Sequence, residues 1–172
     1  MASTYNRAVS ETGETASISR LMGLDVGNRR IGIAVSDLLG ITAQGLDTLE
    51  RRNKRYDLQQ LARIIREYNV REIVVGLPRR LSGAESAQTE KVIDFSEQLK
   101  KRFEIPVHLW DERLTSVQAN RLLKDAELSI EKRAAAVDRM AAILILQSFM
   151  DAQQESGVRS RESGTDDDIS GS

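Results

Sequence analysis

The sequence contains no cysteine and only one histidine, His108, among its 172 residues. The absence of cysteine excludes disulfides, thiolate nucleophiles and cysteine-ligated zinc. A single histidine also excludes a histidine-rich metal site. No apolar run is long enough to span a membrane, and the polar N-terminal segment lacks the apolar stretch of a secretory signal. We therefore expect a cytoplasmic protein without a membrane partner.

The length fits one domain with its own core, and 40% hydrophobic with 30% charged residues is typical of a globular protein. The net charge of −1 hides an asymmetry, because residues 151–172 carry −4 and residues 1–150 carry +3. A mildly basic body is compatible with a phosphate-rich partner. We expect a domain at 20–152 between two disordered segments, a polar leader at 1–19 and an acidic tail at 153–172.

Hydrophobic periodicity predicts the order βββ-α-β-α-β-α-α. The first two strands, 21–26 and 31–35, flank Gly27-Asn28, which can take the positive φ angles of a tight hairpin. A third strand is predicted at 41–49. The remaining elements are predicted as helices at 55–68, 84–103, 115–125 and 129–151 and as strands at 72–77 and 107–110. This order predicts an α/β fold, with a mixed five-stranded sheet (a three-strand antiparallel meander plus two parallel strands) and helices packed on it.

Three acidic side chains lie where a charge is costly or has no obvious structural partner. Asp25 lies inside the first strand, where it either accepts hydrogen bonds from turn amides or binds a metal. Glu112 follows the end of a strand, the edge at which open α/β sheets place their sites, although it could instead favour the N-terminus of the next helix. Asp138 is the single charge on an apolar helical stripe, and a satisfied structural role is the alternative there too.

If the three acids converge, they form a hard, all-oxygen pocket that suits Mg²⁺ or Mn²⁺ rather than zinc. Two such ions, about 4 Å apart, could hold the attacking and leaving oxygens of a phosphodiester. The predicted reaction is therefore hydrolysis of a nucleic-acid backbone, with Asp25, Glu112 and Asp138 as catalytic and metal-binding residues.

Arginines accompany these acids in the sequence, and each one alone is best explained as a solvated surface charge. Their recurrence at the predicted active edge makes phosphate binding the better explanation for the group. The predicted substrate-binding residues are Arg29, Arg30, Arg79, Arg80, Arg113 and Arg139. His108 and Trp110 share one face of a strand, and we interpret His108 as packed and hydrogen-bonded and Trp110 as part of the core.

Four segments carry a resemblance to the YqgF/RuvX family over about residues 21–150. They are GLDVGNRRIGIAVSD, VVGLP, LWDERLTSVQA and VDRMAAILILQ. The family comprises bacterial proteins described as Holliday-junction resolvase-like and as pre-16S rRNA nucleases. The resemblance implies a ribonuclease H-like (RNase H-like) fold and the same three catalytic acids. One loop departs from the family pattern, since Ser82-Gly83 stands where members often carry Asp-Gly.

The resemblance implies a metal-dependent endonuclease that processes the 5′ end of precursor 16S rRNA in ribosome biogenesis. A Holliday-junction resolvase acting on branched DNA and a non-catalytic nucleic-acid-binding factor are the alternatives. The corresponding partners are precursor rRNA, branched DNA or the ribosome, and both a monomer and a homodimer are open. An ATPase or sugar kinase with an Asp-x-Gly phosphate loop is not expected, because that class needs a second domain and a second phosphate loop.

Overall fold

A computed structural model of the protein describes residues 19–78, 83–111 and 129–162. Within these ranges the chain forms six strands and three helices. The strands are β1 (Arg20–Val26), β2 (Arg30–Ser36), β3 (Ala43–Gly45), β4 (Leu49–Glu50), β5 (Val70–Leu77) and β6 (Val107–Asp111), and the helices are α1 (Lys54–Glu67), α2 (Gly83–Phe103) and α3 (Ile130–Glu162). The predicted α/β class is confirmed, and the helix predicted at 115–125 lies outside the described residues.

The strands form one mixed sheet with the order β3-β2-β1-β5-β6, and β4 also pairs with β2. β1 is antiparallel to β2 and parallel to β5, and β5 is parallel to β6. This arrangement confirms the predicted meander followed by parallel strands. The carboxyl ends of β1, β5 and β6 therefore meet at one edge of the sheet.

The strand predicted at 41–49 is instead two short strands, β3 and β4, so the sheet has six strands rather than five. Gly45 pairs with Ala34 and Leu49 pairs with Ile31, which leaves one extra residue on the β3–β4 side. Such a bulge interrupts strand pairing. Within the interruption, the Thr48 hydroxyl donates to the carbonyl oxygen of Ala135 on α3 at 2.9 Å. Periodicity alone could not reveal this contact with a distant helix.

The turn between β1 and β2 also differs from the prediction. Among the described residues the positive φ angles are at Gly40, Asn69 and Glu104, so neither Gly27 nor Asn28 uses one. The Gly27 N–H donates to the Arg30 carbonyl oxygen at 2.9 Å. A Cβ atom on Gly27 would lie 2.9 Å from that same oxygen. Glycine therefore serves the close approach of two backbones here, not a left-handed conformation.

Apolar side chains form a core on each face of the sheet. On one face, Met22 and Leu24 of β1 belong to a cluster with Leu61 of α1 and Leu99 of α2. On the other face, α3 supplies the second cluster. Its members are Ala142, Ile145, Leu146, Phe149 and Met150 of α3 with Ala34 of β2 and Val74 of β5. The sheet is thus the middle layer, covered by α1 and α2 on one side and by α3 on the other.

The helix caps confirm two predicted starts. The Asn53 side chain accepts a hydrogen bond from the Tyr56 N–H at 2.9 Å, and the Ser129 hydroxyl oxygen accepts one from the Lys132 N–H at 3.4 Å. The predicted end of the last helix is wrong, because α3 continues to Glu162 and does not end near Asp151. Residues 153–162 are therefore helical where we expected disorder, which is consistent with the good helix formers Gln and Glu after Ala152.

No helix in the described ranges is both long and apolar enough to cross a membrane. The cytoplasmic location stays a prediction. So do the disordered leader before Ser19 and the disordered tail after Glu162, because both segments lie outside the described residues.

Candidate active site

Helix α3 lies directly against the sheet because the facing strand positions are glycines. A Cβ atom on Gly32 would lie 1.9 Å from the carbonyl oxygen of Asp138, and one on Gly23 would lie 2.7 Å from Cβ of Leu146. Real side chains cannot approach so closely, so each glycine is needed for this contact. The result is that the backbone of Asp138 rests on β2.

Asp25 lies on the face of the sheet that α3 covers. Gly23 of β1 contacts α3, whereas Leu24 belongs to the opposite core. Because strand side chains alternate between faces, Asp25 shares the face of Gly23. Its register partner on β2 is Gly32, the residue that Asp138 covers. The structure therefore brings Asp25 and Asp138 to adjacent positions on one face.

The Asp138 carboxylate is paired with an arginine. Nε of Arg30 donates to Oδ2 of Asp138 at 2.9 Å, and the two side chains are 25% and 24% exposed. This ion pair corrects the expectation that Asp138 has no partner in the protein. The sequence contained no signal for it, because the two residues are 108 positions apart.

A cavity of about 550 Å³ lies beside this ion pair, between the β1–β2 turn and the start of α3. Its lining residues are Asn28, Arg29, Arg30, Glu50, Arg51, Glu131 and Ala135. Two of the predicted substrate-binding arginines, Arg29 and Arg30, thus line one cavity. Arg139 packs elsewhere, against Gly45, and its guanidinium donates to Asp47 at 3.0 Å.

Arg51 is a residue of this region that the sequence analysis missed. Its Nη1 donates to the Gly27 carbonyl oxygen and its Nε to Oδ2 of Asp57, each at 2.9 Å. Asp57 is 1% exposed, and the Arg51 guanidinium lies 5.2 Å from the ring centre of Phe95. The Arg51 N–H also donates to the Arg29 carbonyl oxygen at 2.9 Å. Arg51 therefore fastens the β1–β2 turn to α1 and α2, and no local pattern distinguishes it from the neighbouring arginines.

His108 and Trp110, the two aromatic residues of β6, contact α3. His108 Nε2 lies 2.8 Å from Oε2 of Glu72, and its ring centre lies 5.1 Å from that of Phe149. The Trp110 indole N–H donates to the Ser148 hydroxyl oxygen at 2.8 Å. Trp110 also meets Phe149 edge to face, with ring centres 5.3 Å apart. Both side chains are packed and hydrogen-bonded, which confirms the interpretation.

Several predicted site residues lie outside the described part of the chain. They are Arg79, Arg80, Glu112 and Arg113. Ser82, at the departure from the family pattern, lies outside it as well. In the part that is described, no group of three or more histidine, cysteine, aspartate or glutamate side chains could hold a metal ion. The two described acids of the predicted triad, Asp25 and Asp138, are nevertheless neighbours.

The architecture is the RNase H-like fold. The structure titled "T. thermophilus RuvC in complex with Holliday junction substrate" matches 79% of this chain and 96% of its own, with a TM-score of 0.51 and 10% identity. At this identity the likeness shows the fold alone, and it confirms the predicted fold.

The sequence comparisons then define the family. The RuvX model, described as "Holliday junction resolvase", matches residues 19–152. A Koribacter versatilis (strain Ellin345) protein named "Putative pre-16S rRNA nuclease" is 61% identical over 77% of this chain and 86% of its own. A relative of the same name from Thermoanaerobacter pseudethanolicus is 48% identical over 78% of this chain and 98% of its own. The chain belongs to the RuvX family, and it is a hydrolase that acts on nucleic acids.

Proposed function

We propose that the protein is a metal-dependent endonuclease that processes the 5′ end of precursor 16S rRNA in ribosome biogenesis. The observation that carries this proposal is the meeting of Asp25 and Asp138 on one face, where Gly32 lets α3 touch the sheet. The RNA substrate is taken from the name of relatives up to 61% identical to this chain. We assign Asp25, Glu112 and Asp138 as the catalytic, metal-binding residues.

The donor set fits a hard divalent cation. Asp25 and Asp138 supply carboxylate oxygens beside the carboxyl end of β1. Glu112 directly follows β6 in the sequence and lies outside the described residues. Oxygen ligands of this kind suit Mg²⁺ or Mn²⁺, and we propose that two ions bind. When bound, they supply positive charge to the phosphate and activate a water for attack.

The protein's own residues would bind and orient the substrate around these acids. In phosphodiester hydrolysis a water oxygen forms a new bond to phosphorus, the bond to the leaving oxygen breaks, and that oxygen takes up a proton. Arg29 is exposed and lines the cavity next to the acids, a position from which it can bind a flanking phosphate. We assign Arg79, Arg80 and Arg113 to the same electrostatic role. Arg139 pairs with Asp47, so we do not assign it to substrate binding.

A Holliday-junction resolvase is the second candidate, because the matching family model carries that description and the RuvC structure shares the fold. The same acids would then cut branched DNA. Both candidates use one chemistry, so only the choice of substrate separates them.

A cleavage panel tests both candidates. The substrates are a precursor-16S 5′ segment, an unrelated single-stranded RNA of equal length and a four-way DNA junction, each with Mg²⁺, with Mn²⁺ and with a chelator. We expect site-specific cleavage of the precursor, lost in chelator and in the Asp138→Asn variant. Cleavage of the junction alone would favour the resolvase. Undiminished cleavage in chelator would refute the metal-dependent mechanism.

A further inference from the structure

Arg30 holds the carboxylate that the proposed metal site needs. We propose that Arg30 and the divalent cation compete for Asp138, so that Arg30 is the counter-ion of this acid until metal binds. This inference rests on the proposed function. It gives Arg30 a role different from the phosphate contact that the sequence analysis predicted.

The competition follows from the atoms that meet. Arg30 Nε donates to Oδ2 of Asp138 at 2.9 Å, so a full positive charge already lies against one of the two carboxylate oxygens. A divalent ion bound to the same carboxylate would lie within a few ångströms of this guanidinium and be repelled by it. Both side chains are about three-quarters buried, so water screens the repulsion only in part. Arg30 must therefore either weaken metal binding or move when metal binds.

The surroundings allow the side chain of Arg30 to move while its backbone stays fixed. Arg30 pairs with Glu50 across β2 and β4, and its carbonyl oxygen accepts the Gly27 N–H. The cavity of about 550 Å³ lies directly beside it. Glu50 and Glu131 line this cavity, so a guanidinium that leaves Asp138 has two other carboxylates within the same space. The displaced cation is thus not left without a counter-charge.

A purely structural role for Arg30 predicts a different pattern. An ion pair that only supports the fold would stabilise the protein equally with and without metal. Its loss would leave metal affinity unchanged. Competition predicts that the loss of Arg30 changes the stability of the metal-free protein and its metal affinity in opposite directions. Without Arg30 the metal-free protein loses the counter-ion of Asp138 and is less stable, yet it binds metal more tightly.

The test compares Arg30→Gln with Arg29→Gln, which removes the same charge from the adjacent, exposed position of the same turn. Mn²⁺ affinity is measured by calorimetric titration, and melting temperatures are measured in chelator and in saturating Mg²⁺. We expect Arg30→Gln to bind Mn²⁺ roughly tenfold more tightly than wild type. We also expect Arg30→Gln to have a lower melting temperature than wild type in chelator. Its melting temperature should rise more than that of wild type when Mg²⁺ is added. Arg29→Gln should stay within about twofold of wild-type affinity, because its charge lies outside the ion pair.

A second measurement needs no substitution of Arg30. The Nε–H resonance of Arg30 in the wild-type protein should shift or broaden as Mg²⁺ is added, because the guanidinium leaves Asp138. If the wild-type protein binds metal but this resonance does not change, and Arg30→Gln has wild-type metal affinity, the competition is refuted while the proposed metal site stands. If the wild-type protein binds no Mn²⁺ or Mg²⁺ at all, the proposed function loses its metal site and the competition falls with it.

Discussion

The carbonyl oxygen of Asp138 lies so close to Gly32 that a single added methyl group on the glycine would stand 1.9 Å from it. Gly32 is also the register partner of Asp25. One glycine therefore sets the distance between helix α3 and the sheet at the point where the two acids meet. The geometry of the site depends on the absence of a side chain at this position.

Gly32→Ala should therefore damage both the fold and the site. The new methyl group meets backbone rather than a flexible side chain, so α3 must shift away, at a cost of about 1–3 kcal/mol or more in the free energy of unfolding. We expect cleavage activity to fall even where the protein is still folded, because the two acids move apart. Urea unfolding and a single-turnover cleavage assay measure the two effects.

The matched control for this variant is Gly157→Ala, also in the described structure. A Cβ atom at Gly157 on α3 would meet nothing within 4 Å. Alanine is the better helix former, so this change should stabilise the protein by up to about 1 kcal/mol and leave cleavage unchanged. A Gly32→Ala protein as stable and active as wild type would show that α3 is not held against β2 by this contact.

The sequence predicted the parts of this molecule that depend on local pattern. Alternating and helical periodicity found the β1–β2 hairpin, the two parallel strands and the helix α1, because each follows from residues close together in the chain. The parts that depend on tertiary contact were not predictable. The Arg30–Asp138 pair joins residues 108 positions apart, and the bulge after Gly45 forms where Thr48 meets α3.

The same limit explains why the sequence analysis missed Arg51. No sequence pattern connects this residue to its partners. Gly27 lies in the β1–β2 turn, Asp57 in α1 and Phe95 in α2, and they surround one guanidinium only after folding. The candidate acids were predictable for the opposite reason. A carboxylate at a position that should be apolar is visible in the sequence without any knowledge of its partner.

Arg51→Met should destabilise the protein strongly. The change leaves the carboxylate of Asp57, which is 1% exposed, without its cation, and breaking such a pair costs about 3–5 kcal/mol. Because the Arg51 side chain is 26% exposed, we expect the lower end of that range, about 3 kcal/mol. Chemical denaturation measures the loss. Arg52→Met is the control, because Arg52 lies over the Tyr56 ring, and should cost no more than about 0.5 kcal/mol.

A double variant separates the two contributions of Arg51. Arg51→Met with Asp57→Leu removes both charges, and much of the stability should return, since a buried pair can be replaced by apolar residues at little cost. The bond from Arg51 to the Gly27 carbonyl stays broken, so any remaining loss of cleavage reports the role of that bond in holding the turn. If the single variant Arg51→Met is as stable as wild type, the pair does not fasten the turn.

Asp25→Asn should abolish cleavage while the protein stays folded. The amide keeps the size of the side chain but removes the charge that holds a cation. We expect Mg²⁺ to raise the melting temperature of the wild type far more than that of the variant. Metal at a hundred times its dissociation constant stabilises the native protein by about 2.7 kcal/mol, and a variant that binds metal weakly gains much less at the same metal concentration. Asp47→Asn removes an acid that pairs with Arg139 and serves as the control. An equal Mg²⁺ response in all three proteins would show that Asp25 is not a metal ligand.

Arg29→Gln should weaken substrate binding and reduce its dependence on salt. Arg29 is exposed at the cavity beside the acids, whereas Arg30 pairs with Asp138 in the metal-free protein, so without metal Arg29 is the hairpin arginine available to a phosphate. Each phosphate contact to a single strand contributes about 0.7 to the slope of log affinity against log salt concentration, and the loss of one contact should lower the slope by about that amount. Binding titrations between roughly 50 and 200 mM salt measure the slope.

Arg63→Gln is the control, because Arg63 lies on α1, on the other side of the sheet from Asp138, and bonds to Gln60 at 3.3 Å. If Arg29→Gln and Arg63→Gln change the slope equally, the effect belongs to net charge and Arg29 does not contact the substrate.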